Sequence, residues 1–353
     1  MARSSPHTVQ RRSRREVAGA GTGAFSGLLA PMVTTLDSVV RTGVRRSPFQ
    51  RDPRLIAQIA PLLNAVGSYF AVRFRGWQNV PRDQPCLIVG NHSGGAETTD
   101  FWLFLSKWVA ERGADAPLYS LAYNLIFGAP LLGQTLRRLG IIPANHGNAR
   151  KALALGAPVV VFPGGDYEVF RSWSERNRID FGGHMGFVTL AISAGVPVVP
   201  MTIHGAHQST LVLTRGQGIA HATGIDRLHV KVFPFILNIP FGLTPAFVPS
   251  VQLPSKVTVH FGAPLDWSHH GARRSRDPAV LKTCYDEITM RMQKTLDRLT
   301  RETPHPVLAR LRELDLGATV QQLEGMLGID RAPSLTSPTR GPIRRRMPRA
   351  AST

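Results

Sequence analysis

A chain of 353 residues, 43% of them hydrophobic, can bury a substantial core, and its two cysteines, Cys86 and Cys284, exclude a disulfide framework and stand in no metal-ligand spacing. The formal net charge of +19 is extreme but concentrated at the ends: Arg11, Arg12, Arg14 and Arg15 near the start, and Arg340, Arg344, Arg345, Arg346 and Arg349 near the finish. Such ends bury too little apolar surface to fold and read as tails for a polyanion; an anionic membrane and nucleic acid both fit electrostatically.

Residues 17–36 carry no charge, but their glycines and Pro31 leave them too weakly apolar to span a bilayer, so they read as flexible or interfacial rather than as an export signal. Asp52-Pro53 then opens an amphipathic helix with Leu55, Ile56, Ile59, Leu62, Leu63 and Val66 on one side and a bend expected at Pro61. Residues 70–74 alternate as a half-buried strand. The uncharged run 86–90 reads as a buried strand whose Gly-rich turn places Asn91 and His92 at its carboxyl end, before a helix capped by Thr98, Thr99 and Asp100.

Two more units follow the same plan. A strand at 118–121, a helix broken by turns over 121–136, and a helix over 148–155 lead to a second buried strand, 158–163, ending in Gly164, Gly165 and Glu168. A helix over 186–194 leads to a third strand, 196–203. Strands separated by helices imply a parallel sheet. Residues 232–255 have no charge but five prolines, which no helix tolerates, so they read as an irregular wall of the core or as a hydrophobic lip for a lipid or bilayer. Residues 257–261 alternate as a last strand, and Asp277-Pro278 opens a long helix ending before Pro304. The expected fold is α/β: a largely parallel central sheet with helices on both faces, an N-terminal helical lead and a C-terminal helix. Residues 1–51 form a basic, Gly-rich, disordered segment in this reading, 52–306 the folded domain, 307–331 a helical extension and 332–353 an Arg/Pro-rich tail.

The turn after the first buried strand brings chemistry together. His92 can act as a general base near neutral pH, a carboxylate from Glu97 or Asp100 can hold its tautomer, and the backbone N–H groups of Gly94 and Gly95 can meet an oxyanion. A hydrogen-bonded structural histidine would look the same in sequence. His204 with His207, and His269 with His270, lack the setting of a metal site. No Gly-x-Ser-x-Gly stands at a strand-to-helix turn.

Several stretches taken together resemble the glycerolipid acyltransferase superfamily, of the lysophosphatidate acyltransferase type, and within it a bacterial branch similar to mono- and diacylglycerol acyltransferases. The resemblance spans about residues 52–306 and rests on Asn91-His92-Ser93-Gly94-Gly95 with Asp100, residues 140–143, and Phe162-Pro163-Gly164-Gly165 with Glu168, in the family's order. It implies that His92 deprotonates an acceptor hydroxyl, which attacks an acyl-CoA thioester without an acyl-enzyme. Acyl-CoA is then a co-substrate, with no cofactor and no metal. The family's usual carboxylate position holds Glu97, whereas Asp100 matches the spacing of the Asn-His-Ser-Gly-Gly branch. The family's phosphate-holding Arg is replaced by His146, which implies a neutral acceptor unless Arg137, Arg138 or Arg150 substitutes. Gly94, Gly95, His146, Arg150, Gly164, Gly165 and Glu168 are thereby assigned to substrate binding. The resemblance favours an anionic membrane surface over nucleic acid as partner, and the reduced cysteines favour a cytoplasmic, peripherally attached enzyme. A lipid or thioester hydrolase, and a non-catalytic basic protein on this scaffold, are the alternatives.

Overall fold

The computed structural model describes residues 47–223, 232–238, 241–246, 248 and 250–314. The expectations for the basic lead up to residue 46, for residues 17–36, for the tail 332–353 and for most of the 307–331 extension lie outside the described residues.

Helix α1 (Pro53–Tyr69) leads into strand β1 (Arg73–Arg75), then β2 (Leu87–Gly90), α2 (Thr99–Arg112), β3 (Tyr119–Ala122), α3 (Pro130–Arg138) and β4 (Ile141–Pro143). The chain continues through α4 (His146–Ala154), β5 (Val159–Val161), α5 (Gly165–Val169), α6 (Gly186–Ala194) and β6 (Val198–His204). It ends with β7 (Leu211–Thr214), α7 (Gln217–Thr223), β8 (Phe235–Asn238), β9 (Gly242–Pro245), β10 (Thr258–Phe261), α8 (Pro278–Glu302) and α9 (Pro306–Glu313). Asp52 and Asp277 cap α1 and α8, each accepting two backbone N–H groups ahead of a proline at the helix start. Helix α1 runs on through Pro61, whose side is exposed to solvent.

The main sheet has seven strands in the order β1-β10-β6-β2-β5-β3-β4. Strands β6, β2, β5, β3 and β4 are parallel, while β10 pairs antiparallel with β6 and β1 parallel with β10, so the last two run the other way. The fold is therefore α/β with a mostly parallel sheet. Alternation along the strands sends Ile88, Val160 and Val199 to one face, with Ile56, Leu63, Phe104 and Trp108 of α1 and α2. It sends Leu87, Val89, Val159 and Val198 to the other, with Ala149, Leu190, Ile288 and Met292 of α4, α6 and α8. Each fully buried aliphatic side chain there stabilises the fold by about 1.5–3 kcal/mol.

The proline-rich stretch is not irregular throughout. With β7 it forms a second, antiparallel sheet, β7-β8-β9. Sequence periodicity missed it because Pro234 and Pro245 fall at strand ends, where a ladder needs no N–H from them. The inner face of this sheet, Val212, Ile236 and Ala246, packs on Phe170.

Candidate active site

The site lies where the parallel strands end. Strand β2 stops at Gly90, whose added Cβ would lie 2.7 Å from both Met201 and Phe162, so a larger residue there would have to displace those side chains. Asn91 is fully buried and crosses to β6, accepting the N–H of Ile203 at 2.7 Å and donating to its carbonyl at 2.9 Å. That anchor holds the first residue of the loop, and His92 follows it.

The loop then doubles back. Gly94 (φ 87°), Gly95 (φ 62°) and Thr98 (φ 46°) are all left-handed, and the reversal returns Asp100, in the first turn of α2, to His92. His92 Nδ1 and Asp100 Oδ2 are 2.7 Å apart. The same carboxylate accepts the N–H groups of Ser93 and Phe101 at 2.7 Å, so it is fixed as well as fully buried. Thr98 is the N-cap residue but makes no side-chain cap bond. Burial opposes protonation of His92, yet Asp100, by charge and by hydrogen bond, outweighs it and holds the imidazole above its ordinary range.

Glu97, the other carboxylate considered for His92, is spent elsewhere. Its Oε1 accepts from the backbone and the hydroxyl of Ser250, at 3.1 and 2.8 Å. The 3-10 turn Gly95–Glu97 carries it away from the pairing that Asp100 makes. Gln252 reaches the same loop, donating to the carbonyl of Gly94 and accepting from the Thr99 hydroxyl.

Glu168, assigned to substrate binding from sequence, is fully buried and accepts the backbone N–H of His92 at 2.8 Å. Its place explains Gly164: a Cβ there would sit 2.4 Å from the Glu168 Cβ. Burial pushes the Glu168 carboxyl up to about 7, against the pull of Arg171. Arg171 itself is 1% exposed, donates to the carbonyl of His92 at 2.7 Å and lies 3.8 Å from Glu168 Oε1. Sequence reasoning passed over Arg171; its only signal was the Glu-x-x-Arg spacing that places the pair on neighbouring turns.

His92 opens onto a cleft of about 650 Å³ walled by the loops after β2, β3, β4 and β5. Its ring stacks on Phe162 at 4.5 Å, and Phe101, Trp102, Leu121, Ile126 and Phe187 make the walls largely apolar. Gly95, Gly164, Gly165, His146 and His184 also line it, whereas Gly94 and Glu168 do not. His146 is exposed at the start of α4, and Arg150, one turn on and also exposed, stands outside the cleft wall. Arg137 is buried against Phe127 and Arg138 pairs with Asp52 at 2.6 Å, so neither lines the cleft. His207 is buried and donates from Nε2 to the carbonyl of Arg171 at 2.9 Å, a structural role. Among the described residues, no group of three or more His, Cys, Asp or Glu is placed to hold a metal ion. Burial raises the thiols of Cys86 to about 12 and Cys284 to about 11, which leaves neither as a ready thiolate.

An acyltransferase family model matches residues 71–204, the span that holds His92, Glu97, Asp100, Glu168, Arg171 and the residues named as lining the cleft. An uncharacterized protein of Mycobacterium bovis is 31% identical over 254 residues, covering 71% of this chain and 68% of its own. A human protein described as a DGAT1/2-independent enzyme synthesizing storage lipids is 33% identical over 129 residues, 36% of this chain and 37% of its own. The crystal structure of a 1-acyl-sn-glycerophosphate acyltransferase, PlsC, from Thermotoga maritima aligns with a TM-score of 0.42 at 18% identity, over 80% of this chain and 98% of that one. By the family model over residues 71–204, the chain belongs to the acyltransferase family and is an acyltransferase.

Proposed function

We propose that the protein transfers a fatty acyl group from acyl-CoA to a hydroxyl of a glycerolipid or related lipid alcohol, with His92 as general base, at a membrane surface it meets peripherally on the cytoplasmic side. The observation that carries this reading is the His92–Asp100 contact of 2.7 Å at the wall of a largely apolar cleft. In the neutral imidazole Nδ1–H donates to Asp100, which leaves the Nε2 lone pair for the acceptor hydroxyl. The hydroxyl proton passes to Nε2 while its oxygen attacks the thioester carbonyl. Asp100 stabilises the imidazolium, and negative charge on the carbonyl oxygen develops beside the glycine turn at Gly95. The C–S bond then breaks and the imidazolium proton goes to the departing thiolate.

The raised thiol pKa values of the two buried cysteines favour direct transfer over a thiol acyl-enzyme. His146 in the cleft, with Arg150 outside it, favours an acceptor without a phosphomonoester, since an Arg pairs bidentately with phosphate and a histidine near neutral pH does not. The human relative's description as an enzyme of storage lipids is in keeping with a neutral glyceride. No helix among the described residues is long and apolar enough to cross a membrane, so contact with the bilayer is read as peripheral.

Purified full-length protein would be incubated with labelled acyl-CoA and a panel of mono- and diacylglycerols, lysophosphatidate and long-chain alcohols. Label is expected in a neutral lipid, and His92→Ala should abolish its transfer. Preference for lysophosphatidate that His146→Ala does not alter would overturn the acceptor assignment. Release of free fatty acid with no acylated lipid would identify a hydrolase instead.

A further inference from the structure

The cleft holds a charged group that the transfer step does not use. Among the described residues that line it, Asp166 is the only carboxylate, and none is a lysine or an arginine. Its Oδ1 accepts the N–H of Tyr167 at 2.8 Å, while its Oδ2 is shielded from solvent and has no hydrogen-bond partner in the protein. Arg215, which stacks on the neighbouring Tyr167 ring at 4.2 Å, is committed to the carboxylate of Glu175 at 2.8 Å and to the carbonyl of Tyr167 at 3.0 Å. A buried carboxylate oxygen without a donor is costly, and native proteins keep few of them.

Position gives that oxygen a use. Asp166 stands between two residues that touch His92: Phe162, whose ring stacks on the imidazole at 4.5 Å, and Glu168, which accepts the His92 N–H at 2.8 Å. Glu168 is fully buried behind the loop, whereas Asp166 lines the cleft. Tyr123, just past β3, lines it as well; burial, together with the charge of Asp166, pushes its phenol up to about 12 and keeps it neutral. There is room beside the carboxylate, since a Cβ added at Gly165 would meet no atom within 4 Å apart from its chain neighbours. The terminal torsion of an aspartate is broad, so a small rotation offers Oδ2 to a donor entering there.

Charge selects the donor. A carboxylate in a cleft without a lysine or arginine repels a phosphate, and a protein of net charge +19 does not draw in a cationic amine. A neutral hydroxyl meets neither objection. In the proposed reaction His92 already holds the reacting hydroxyl, so this donor is a second one. We propose that Asp166 selects the acceptor by accepting a hydrogen bond from a second free hydroxyl, so that lipids carrying two hydroxyls, such as monoacylglycerols, are used in preference to lipids carrying one. This rests on the lipid-acyltransferase reading of the same cleft. A site built to hydrogen-bond a substrate hydroxyl rejects the analogue that lacks it, because its own polar group is then left unpaired.

The test compares two ligands that differ by one hydroxyl, the 1-octyl ether of glycerol and the octyl ether of 1,3-propanediol. Calorimetry on full-length protein reads their binding without turnover. Wild type should bind the glycerol ether about tenfold more tightly or better, and Asp166→Ala should bind the two alike. Asp166→Asn keeps an acceptor oxygen in nearly the same shape and should retain part of the preference, which a variant that merely misfolds would not. With labelled acyl-CoA, the ratio of kcat/KM for a monoacylglycerol to that for the monoacyl ester of 1,3-propanediol should fall in Asp166→Ala in the same proportion. That ratio does not depend on how much of the variant is active. Equal binding of the two ethers by wild type would overturn the subsite, and so would an unchanged preference in Asp166→Ala. Tighter binding of the analogue with an amine in place of the second hydroxyl would overturn the choice of a hydroxyl. A preference for the glycerol ether that depends on Asp166, in a protein that transfers no acyl group, would uphold the subsite and sink the functional reading instead.

Discussion

Glu168 Oε2 accepts the backbone N–H of His92 at 2.8 Å from a position that solvent does not reach. Arg171 takes the carbonyl of the same residue at 2.7 Å, so one buried ion pair grips both polar groups of the His92 main chain. The grip fixes where the imidazole starts, and Asp100 fixes where it points. Removing one member of a buried pair leaves the other charge uncompensated, at a cost of about 3–5 kcal/mol. At pH 8, where the Glu168 carboxyl is ionised, Arg171→Met should therefore lower unfolding stability by roughly that amount in urea titrations, although Arg171 is not part of the cleft wall.

Glu168 also gives stability a pH dependence of known sign. In the fold its carboxyl keeps the proton up to about pH 7, against an ordinary value of 4.5. Between those values the folded state binds more protons than the unfolded one, so stability falls as pH rises. This group's contribution is complete below about 4.5 and gone above about 7. Glu168→Gln still accepts from His92 N–H but cannot ionise. Denaturation midpoints at pH 5 and pH 8 should differ less in Glu168→Gln than in wild type, and an equal difference would refute the shifted carboxyl.

The two candidate carboxylates separate by contact. Asp100→Asn removes the charge facing Nδ1 and should lower kcat by about a hundredfold or more, in the range general-base catalysis supplies. Glu97→Gln keeps an acceptor for Ser250 and should leave kcat within about threefold of wild type, the span of a neutral hydrogen bond weakened rather than lost. Rates measured in parallel on the best acceptor decide it, and the reverse order would move the dyad to Glu97.

In the proposed reaction His92 must be neutral to act, and such a base titrates on the acid side. Because Asp100 holds His92 above the ordinary histidine value of 6.5, the acid limb of kcat/KM should show an apparent pKa above it. Any residual activity of Asp100→Asn should show that limb shifted to lower pH. A wild-type limb below 6.5 would mean that burial, not Asp100, governs the imidazole.

Gln252 holds a loop that is not relaxed by itself. Thr98 is a β-branched residue at φ 46°, a conformation that costs on the order of 1–3 kcal/mol and persists only where its surroundings impose it. Gln252 bonds to Gly94 and Thr99 on either side of it. Gln252→Leu should reduce kcat several-fold with little change in KM for the acyl donor, and adding Thr98→Gly should recover part of the loss by removing the strain. No recovery would mean that Gln252 acts otherwise than by holding this turn.

Much of the fold was legible because its signals are local. The Asp-Pro starts of α1 and α8 and the uncharged runs that became β2, β5 and β6 depend on neighbours in sequence, and each formed where its pattern stands. The alternation of strand and helix implied a parallel sheet for the same reason, and His92 stood out because a histidine between a buried strand and a glycine turn occupies the end where ligands meet such sheets. Strand direction is not local: nothing within residues 257–261 states that β10 runs against β6. Nor could spacing choose between Glu97 and Asp100, since the choice depends on left-handed backbone at Gly94, Gly95 and Thr98, which turns one carboxylate toward the imidazole and the other toward Ser250. Glu168 read as a group facing substrate, because sequence shows that a carboxylate is near a motif but not which side of the backbone it occupies. Only the packing of α5 beneath the His92 loop put it behind the histidine, paired with an arginine that no motif had named.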